Sequence, residues 1–254
     1  MSKKRKELVY APTKLRVPWL GSGCPGCGHT LAGKVIMEVI EELGIDGKVV
    51  AVGGIGCHGL ALMMTIVDRT IGAHGTAPAT ATGIKQALFD DAIVFTFQGD
   101  GDCAAIGAGY LVNAAARAEK ITVFMVNNAN YGTTGGQMAP TTLLGQVTPT
   151  TPMGRDARMF GYPLHVPEML ASIKGVAYSA RSAVNNPANF QRTKRYAKVA
   201  FQKQIDDVGF SFVEILDPCP VNWHMDPVDA MKWIEEKQIA EYPLGEFKNV
   251  DRID

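Results

Sequence analysis

The sequence has no excess of charge of either sign: 25 Lys and Arg face 25 Asp and Glu in 254 residues. That balance argues against a dedicated nucleic-acid binder, which carries a basic excess. The one basic cluster, Lys3-Lys4-Arg5-Lys6, reads as a solvated tail inside a flexible N-terminus of about residues 1–15. No apolar run reaches the roughly 18 residues that a membrane span needs. The first residues also lack the apolar core of a signal peptide, because Glu7, Lys14 and Arg16 interrupt it. We therefore expect a cytoplasmic protein with no membrane span. No internal repeat or linker divides the chain, so a single domain over residues 1–254 is expected. Disorder is excluded by a hydrophobic fraction of 46%.

Cysteine is sparse: Cys24, Cys27, Cys57, Cys103 and Cys219. Disulfides are rare in the cytosol, so thiols two residues apart point to metal binding or redox chemistry. Cys24-Pro25-Gly26-Cys27-Gly28-His29 can serve zinc, a redox disulfide or an iron–sulfur cluster. Zinc wants a second close pair of Cys or His, which the sequence lacks. A thioredoxin-like motif wants a preceding strand, and residues 9–20 are interrupted by proline and charge. Cys57 lies in Gly56-Cys57-His58, at a predicted strand end. Cys219 precedes Pro220, an arrangement also found for cluster ligands in ferredoxins. Four scattered thiolates suffice for one 4Fe–4S cluster. Cys103 opens an alanine-rich stretch and reads as a small buried thiol.

Hydrophobic spacing predicts a helix over residues 29–43, stopped by Gly44. Apolar runs predict strands at residues 48–52, 92–97, 121–126, 176–184 and 210–216, with helical texture at 76–89, 103–118, 168–174 and 189–207. Continuous apolar strands alternating with helices imply an α/β fold, a mostly parallel sheet with helices on both faces. Residues 129–162 are dense in Gly, Thr and Pro and form a long loop, a candidate active-site cover. The tail from Asp217 is expected to wrap across the surface.

Gly99-Asp100-Gly101 follows one predicted strand, and Asn127-Asn128 ends the next. Ligands of parallel sheets bind outside the carboxyl ends of strands. The glycines admit a ligand close to the backbone, and a following helix N-terminus favours phosphate. Asp100, Asn128 and the carbonyl of Asn130 offer hard oxygens suited to Mg²⁺ shared with a diphosphate. Gly54-Ile55-Gly56-Cys57-His58-Gly59 also fits a dinucleotide fingerprint. That fingerprint wants an acidic residue about 20 positions on, at the end of a strand. Here His74 stands in that place and no clean strand is predicted before it, so the NAD reading is the weaker one.

Together, CPGCGH, GIGCHG, AHGTAPATATGIK, GDGDCAAIG and MVNNANYGTTGGQMAPTT resemble the thiamine-diphosphate-binding (beta) subunit of the 2-oxoacid:ferredoxin oxidoreductases. The resemblance runs from Cys24 to Cys219 and implies the thiamine-diphosphate-binding fold. It assigns a 4Fe–4S cluster to Cys24, Cys27, Cys57 and Cys219, and Mg²⁺ to Asp100, Asn128 and Asn130. It places the cofactor against Ile55, Gly56, Cys57, His58, His74, Gly75, Thr76, Ala77, Gly101, Asp102, Gly132 and Thr133. It implies oxidative decarboxylation of a 2-oxo acid to acyl-CoA and CO2, with coenzyme A as co-substrate and electrons passed to the cluster. The implied partners are an alpha subunit, gamma- or delta-type subunits, and a ferredoxin or ferredoxin-like subunit. The glutamate that activates the cofactor is expected from a partner. Two alternatives stand beside this: a non-redox thiamine-diphosphate decarboxylase or carboligase, and a zinc-binding assembly subunit.

Overall fold

The structure is a computed structural model that describes residues 14–15, 23–88 and 92–253. The Lys3–Lys6 cluster and the expected flexible N-terminus, Lys14 and Leu15 apart, lie outside the described residues. The strands are β1 (Val49–Gly53), β2 (Asp68–Ile71), β3 (Ile93–Gly99), β4 (Thr122–Asn127), β5 (Val176–Ala183), β6 (Phe210–Leu216) and β7 (Gly245–Asn249). They form one sheet in the order β2-β1-β3-β4-β6-β5-β7. Every pairing is parallel except β5 with β7. The helices are α1 (His29–Leu43), α2 (Cys57–Met63), α3 (Ala77–Leu88), α4 (Ala108–Ala116), α5 (Ala157–Phe160), α6 (Val166–Ala171), α7 (Pro187–Ile205), α8 (Pro220–Trp223), α9 (Pro227–Trp233) and α10 (Ile239–Glu241).

Helix α1 begins and ends where the sequence predicts, and Gly44 closes it in the left-handed conformation at φ 65°. Its Val35, Ile36, Val39 and Ile40 are buried against the sheet beside α7. Successive strand residues point to opposite faces. Phe95, Phe124 and Val213 therefore join the core under α1 and α7. Val94, Val123 and Phe212 join a second core under α3, α4 and α6. Both faces are covered, so β3, β4, β5 and β6 are buried along their whole length.

Four expectations need correction. Strand β2 was not expected, because all four of its residues are exposed and carry no apolar pattern. The helix expected over residues 103–118 is two pieces, a π-helical turn Asp102–Ile106 and then α4, divided at Gly107. The amide of Gly107 reaches back to the carbonyl of Asp102 at 2.8 Å, the wider π spacing. The loop of residues 129–162 ends in a short helix, α5. The tail from Asp217 is not a surface wrap: it builds α8, α9, a π-helical turn Ile234–Gln238, α10 and the edge strand β7. Its Ile234 and Tyr242 are fully buried with Leu216 and Ala183 in a third core.

Candidate functional site

From β1 the chain turns to one side of the sheet, towards β2, and from β3 to the other, towards β4. The carboxyl ends of β1 and β3 thus flank a topological switch point, where open α/β sheets leave a crevice. Residues 54–58 and 99–102 sit there. A cavity at this point is lined by Ile55, Gly56, Cys57, His58, His74, Gly101, Asp102, Gly132 and Thr133, and by Asp100, Asn128 and Asn130. Of the expected cofactor residues, Gly75, Thr76 and Ala77 do not line it. The Gly75 amide instead donates to Asp102 Oδ1 at 2.9 Å, the Thr76 hydroxyl to the Ala73 carbonyl at 2.8 Å, and Ala77 is buried.

Asp102 is turned to the protein. Its carboxylate accepts from the Ile55 amide at 3.1 Å, His74 Nδ1 at 2.6 Å, the Gly75 amide and Gln98 Nε2 at 2.5 Å. It thereby ties together the loops after β1 and β2 and the end of β3. Gly54 makes room for it, since a Cβ there would lie 1.9 Å from Asp102 Oδ2.

Asp100 is different. It is 2% exposed, and burial pushes its carboxyl up to about 7 against the opposing hydrogen bonds of the Thr141 hydroxyl and the Gly101 backbone. Nearby, Asn130 Oδ1 is buried without a hydrogen-bond partner. A Cβ on Gly132 would stand 3.3 Å from both Asn128 Nδ2 and Cys57 Sγ, filling the space between them. A destabilised carboxylate and an unpartnered amide oxygen facing one cavity form a donor set that fits a hard divalent cation. His58, buried beside them, is driven down to about 3 by desolvation, with Asp102 opposing, so its imidazole is neutral at physiological pH.

A second cavity is lined by Cys24, Cys27, Cys57 and Cys219 together. Gly28 permits this convergence. A Cβ on Gly28 would meet Pro218 Cδ at 2.4 Å and Asp217 Cβ at 2.5 Å, so only glycine lets the first cysteine turn pack on the Cys219 segment. His29 Nδ1 hydrogen-bonds Asp217 there. Burial works to lower the His29 imidazole, but the Asp217 carboxylate and Cys27 outweigh it and hold it well above its ordinary value. Cys103 is elsewhere, fully buried, its thiol pushed up by desolvation. Among the described residues no three His, Cys, Asp or Glu side chains could hold a single metal ion. Four thiolates around one cavity suit a cluster, which spans its ligands with several metal and sulfide atoms.

The two cavities share a wall. His29, Cys57, Asn128 and Gly132 line both.

A family profile described as the thiamine pyrophosphate enzyme C-terminal TPP binding domain matches residues 54–215. The chain is 34% identical over 213 residues to 2-oxoglutarate synthase subunit KorB of Archaeoglobus fulgidus, covering 84% of this chain and 75% of that one. The chain belongs to the thiamine-diphosphate-binding subunits of the 2-oxoacid:ferredoxin oxidoreductases. Within this family it is 44% identical over 226 residues to ketoisovalerate oxidoreductase subunit VorA of Methanothermobacter thermautotrophicus, covering 89% of this chain. It spans about half of that relative, 47% of its length. A solved structure of 2-oxoglutarate:ferredoxin oxidoreductase from Magnetococcus marinus, with 2-oxoglutarate, coenzyme A and succinyl-CoA bound, matches at TM-score 0.77 and 25% identity. That match covers 97% of this chain and 87% of the other. The fold expected from the sequence is thus the fold of the family. Among the described residues no helix is long and apolar enough to cross a membrane.

The sequence did not single out several residues at this site. Tyr131 and Thr134 line the first cavity. Tyr131 donates to the Gly101 carbonyl at 3.3 Å. Thr141, on Asp100, and Asp217, on His29, are also unforeseen. Nor was Arg155 foreseen. It is buried in the long loop and donates to the carbonyls of Pro140 at 2.9 Å and Tyr162 at 2.8 Å, among others. It pins the loop, of which residues 130–134 line the cavity. A hint was available for His29, which closes the CPGCGH run; nothing in the sequence marked Arg155.

Proposed function

We propose that the chain is the catalytic beta subunit of a complex that oxidatively decarboxylates a 2-oxo acid to acyl-CoA and CO2. In this reading it is a single domain holding thiamine diphosphate, Mg²⁺ and a 4Fe–4S cluster. The observation that carries it is the shared wall: Cys57 and its three neighbours stand between the cavity of Asp100 and Asn128 and the cavity of the four cysteines. A non-redox thiamine enzyme has no use for that arrangement. A zinc subunit has no use for the first cavity.

Asp100, the Asn128 amide oxygen and the Asn130 carbonyl would hold Mg²⁺, which would supply positive charge for the diphosphate. Bound thiamine diphosphate supplies the electron sink for loss of CO2. A 4Fe–4S cluster held by Cys24, Cys27, Cys57 and Cys219 would supply one-electron acceptance. Asp102, in the cavity lining, fixes the loops of residues 54–58 and 73–75 that would surround the cofactor. Neutral His58, buried in the cavity lining, would add no charge beside the bound cofactor.

The partner reading draws on the names of the relatives, which are subunits, and on the exposed apolar side chains of the long loop. Leu144, Val147, Met153, Met159 and Tyr162 are all between 45% and 95% exposed. We read this loop as a contact for the alpha or gamma/delta-type subunits, with a ferredoxin-type acceptor beyond them in the cytoplasm. Identity of 44% to a ketoisovalerate oxidoreductase subunit puts branched-chain 2-oxo acids first among substrates, ahead of 2-oxoglutarate.

The test is anaerobic purification with copurifying subunits, followed by iron, sulfide and thiamine analysis and acceptor reduction across 2-oxo acids with coenzyme A. Iron with acid-labile sulfide is expected. Asp100→Ala is expected to lose thiamine diphosphate, Cys219→Ala to lose iron, and Cys103→Ala to keep it. Zinc in place of iron, or full thiamine content in Asp100→Ala, overturns the reading.

A further inference from the structure

The β4 ladder ends where Asn127 pairs with Leu216. Asn128, the next residue, has no strand beside it to hold it. The segment after β6 supplies the missing restraint. Trp223 Nε1 donates to the Asn128 carbonyl at 3.1 Å, and Gln238 Nε2 to the Asn127 carbonyl at 2.9 Å. Tyr242 Oη donates to the Thr141 carbonyl at 2.7 Å, and the Thr141 hydroxyl donates onward to Asp100. Three donors from one C-terminal segment therefore stand directly behind the two side chains, Asp100 and Asn128, that face the cation cavity.

Those donors are themselves locked. Gln238 and Tyr242 are fully buried. The Trp223 ring packs on Trp233 at 4.4 Å, and the Arg181 guanidinium sits 5.0 Å from the Tyr242 ring. Mg²⁺ demands near-ideal octahedral geometry at short bonds, whereas Ca²⁺ tolerates longer, irregular ones. A ligand frame that cannot yield favours the smaller, more demanding ion; a loosened frame favours it less.

We propose that Trp223, Gln238 and Tyr242 are positioning residues that hold Asp100 and Asn128 in a geometry selective for Mg²⁺ over Ca²⁺. This rests on the Mg²⁺–diphosphate reading of the first cavity.

The experiment uses the full chain with its copurifying subunits, in excess thiamine diphosphate. Mg²⁺ and, separately, Ca²⁺ are titrated by calorimetry into the parent and into Trp223→Phe, Gln238→Met and Tyr242→Phe. Each variant deletes or blunts one donor and keeps most of the packing. The expected loss is about tenfold in Mg²⁺ affinity, the scale for removing an outer hydrogen bond from a metal site. The expected loss for Ca²⁺ is smaller, so the Mg²⁺/Ca²⁺ ratio falls. Both ions sample the same folded fraction, so partial unfolding leaves that ratio unmoved. An unchanged ratio in all three variants, beside tight Mg²⁺ binding in the parent, overturns the positioning role and leaves the site reading intact. A parent that binds thiamine diphosphate with no divalent ion overturns the site reading, and this inference with it.

Discussion

Arg181 is the largest fully buried side chain among the described residues, and replacing it with methionine gives the sharpest test of how the sheet supports the site. Its Nε donates to Glu214 Oε2 at 2.6 Å, and its two terminal nitrogens reach Glu168 at 2.7 and 2.6 Å. Glu214 is also fully buried, and its other oxygen accepts from Asn127 Nδ2 at 2.6 Å, one residue from Asn128. Glu168 is a third exposed, so water can take over from the arginine there. Glu214 has no such recourse. Removing one partner of a buried ion pair costs about 3–5 kcal/mol, because the other charge stays behind uncompensated. For 254 residues that corresponds to a fall in Tm of about 6–20 °C. Thermal melts followed by circular dichroism measure it, provided they are reversible. Adding Glu214→Gln removes the stranded charge but keeps an acceptor for Asn127, so the double variant is expected to recover most of the loss. An Arg181→Met protein within about 1 kcal/mol of the parent, or a double variant no more stable than the single, would refute the reasoning.

Two further expectations concern the same scaffold. Gly54→Ala drives a methyl to within 1.9 Å of Asp102 Oδ2 and must displace a carboxylate that four donors hold; a destabilisation of about 3 kcal/mol or more is expected, read by urea unfolding, and a neutral effect would mean the loop moves freely. Glu168 behaves as an acid-range switch of stability: burial works to raise its carboxyl, but the Arg181 hydrogen bonds and charge outweigh that and hold it below its ordinary 4.5. Its stabilising effect is thus present above about pH 4.5 and lost as the pH falls through the lower folded value. Glu168→Gln should flatten the acid limb of the stability profile, and an unchanged limb would place the acid loss at other carboxylates.

The central strands were legible because burial on both faces writes them as unbroken apolar runs; β6 lies where residues 210–216 predict it. The two edge strands were not. β2 is exposed throughout and β7 has no buried residue, and a strand with no buried face carries no period in its sequence. The break at Gly107 was hidden because the residues around it are small and helix-compatible, and the π-helical turn depends on a long-range packing of Gly75 against Gly107. At the candidate site, the residues legible in sequence were those carried by short motifs, such as Asp100, Asn128 and the cysteines. The residues that hold them were not. Thr141, Gln238 and Tyr242 act through hydrogen bonds to residues far away in the chain, and Arg155 through several to carbonyls of its own loop; no local spacing encodes such bonds.

The contact between His29 and Asp217 spans 188 residues of chain. Closing so long a loop is unfavourable in an unfolded chain, and nothing local rewards it before the sheet between the two residues has formed. Cys24 and Cys27 precede that contact, and Cys219 follows it. The four-cysteine cavity is therefore among the last features to exist as the chain folds. Whatever fills that cavity meets a chain whose sheet is already assembled, so its arrival marks the completion of folding rather than the start.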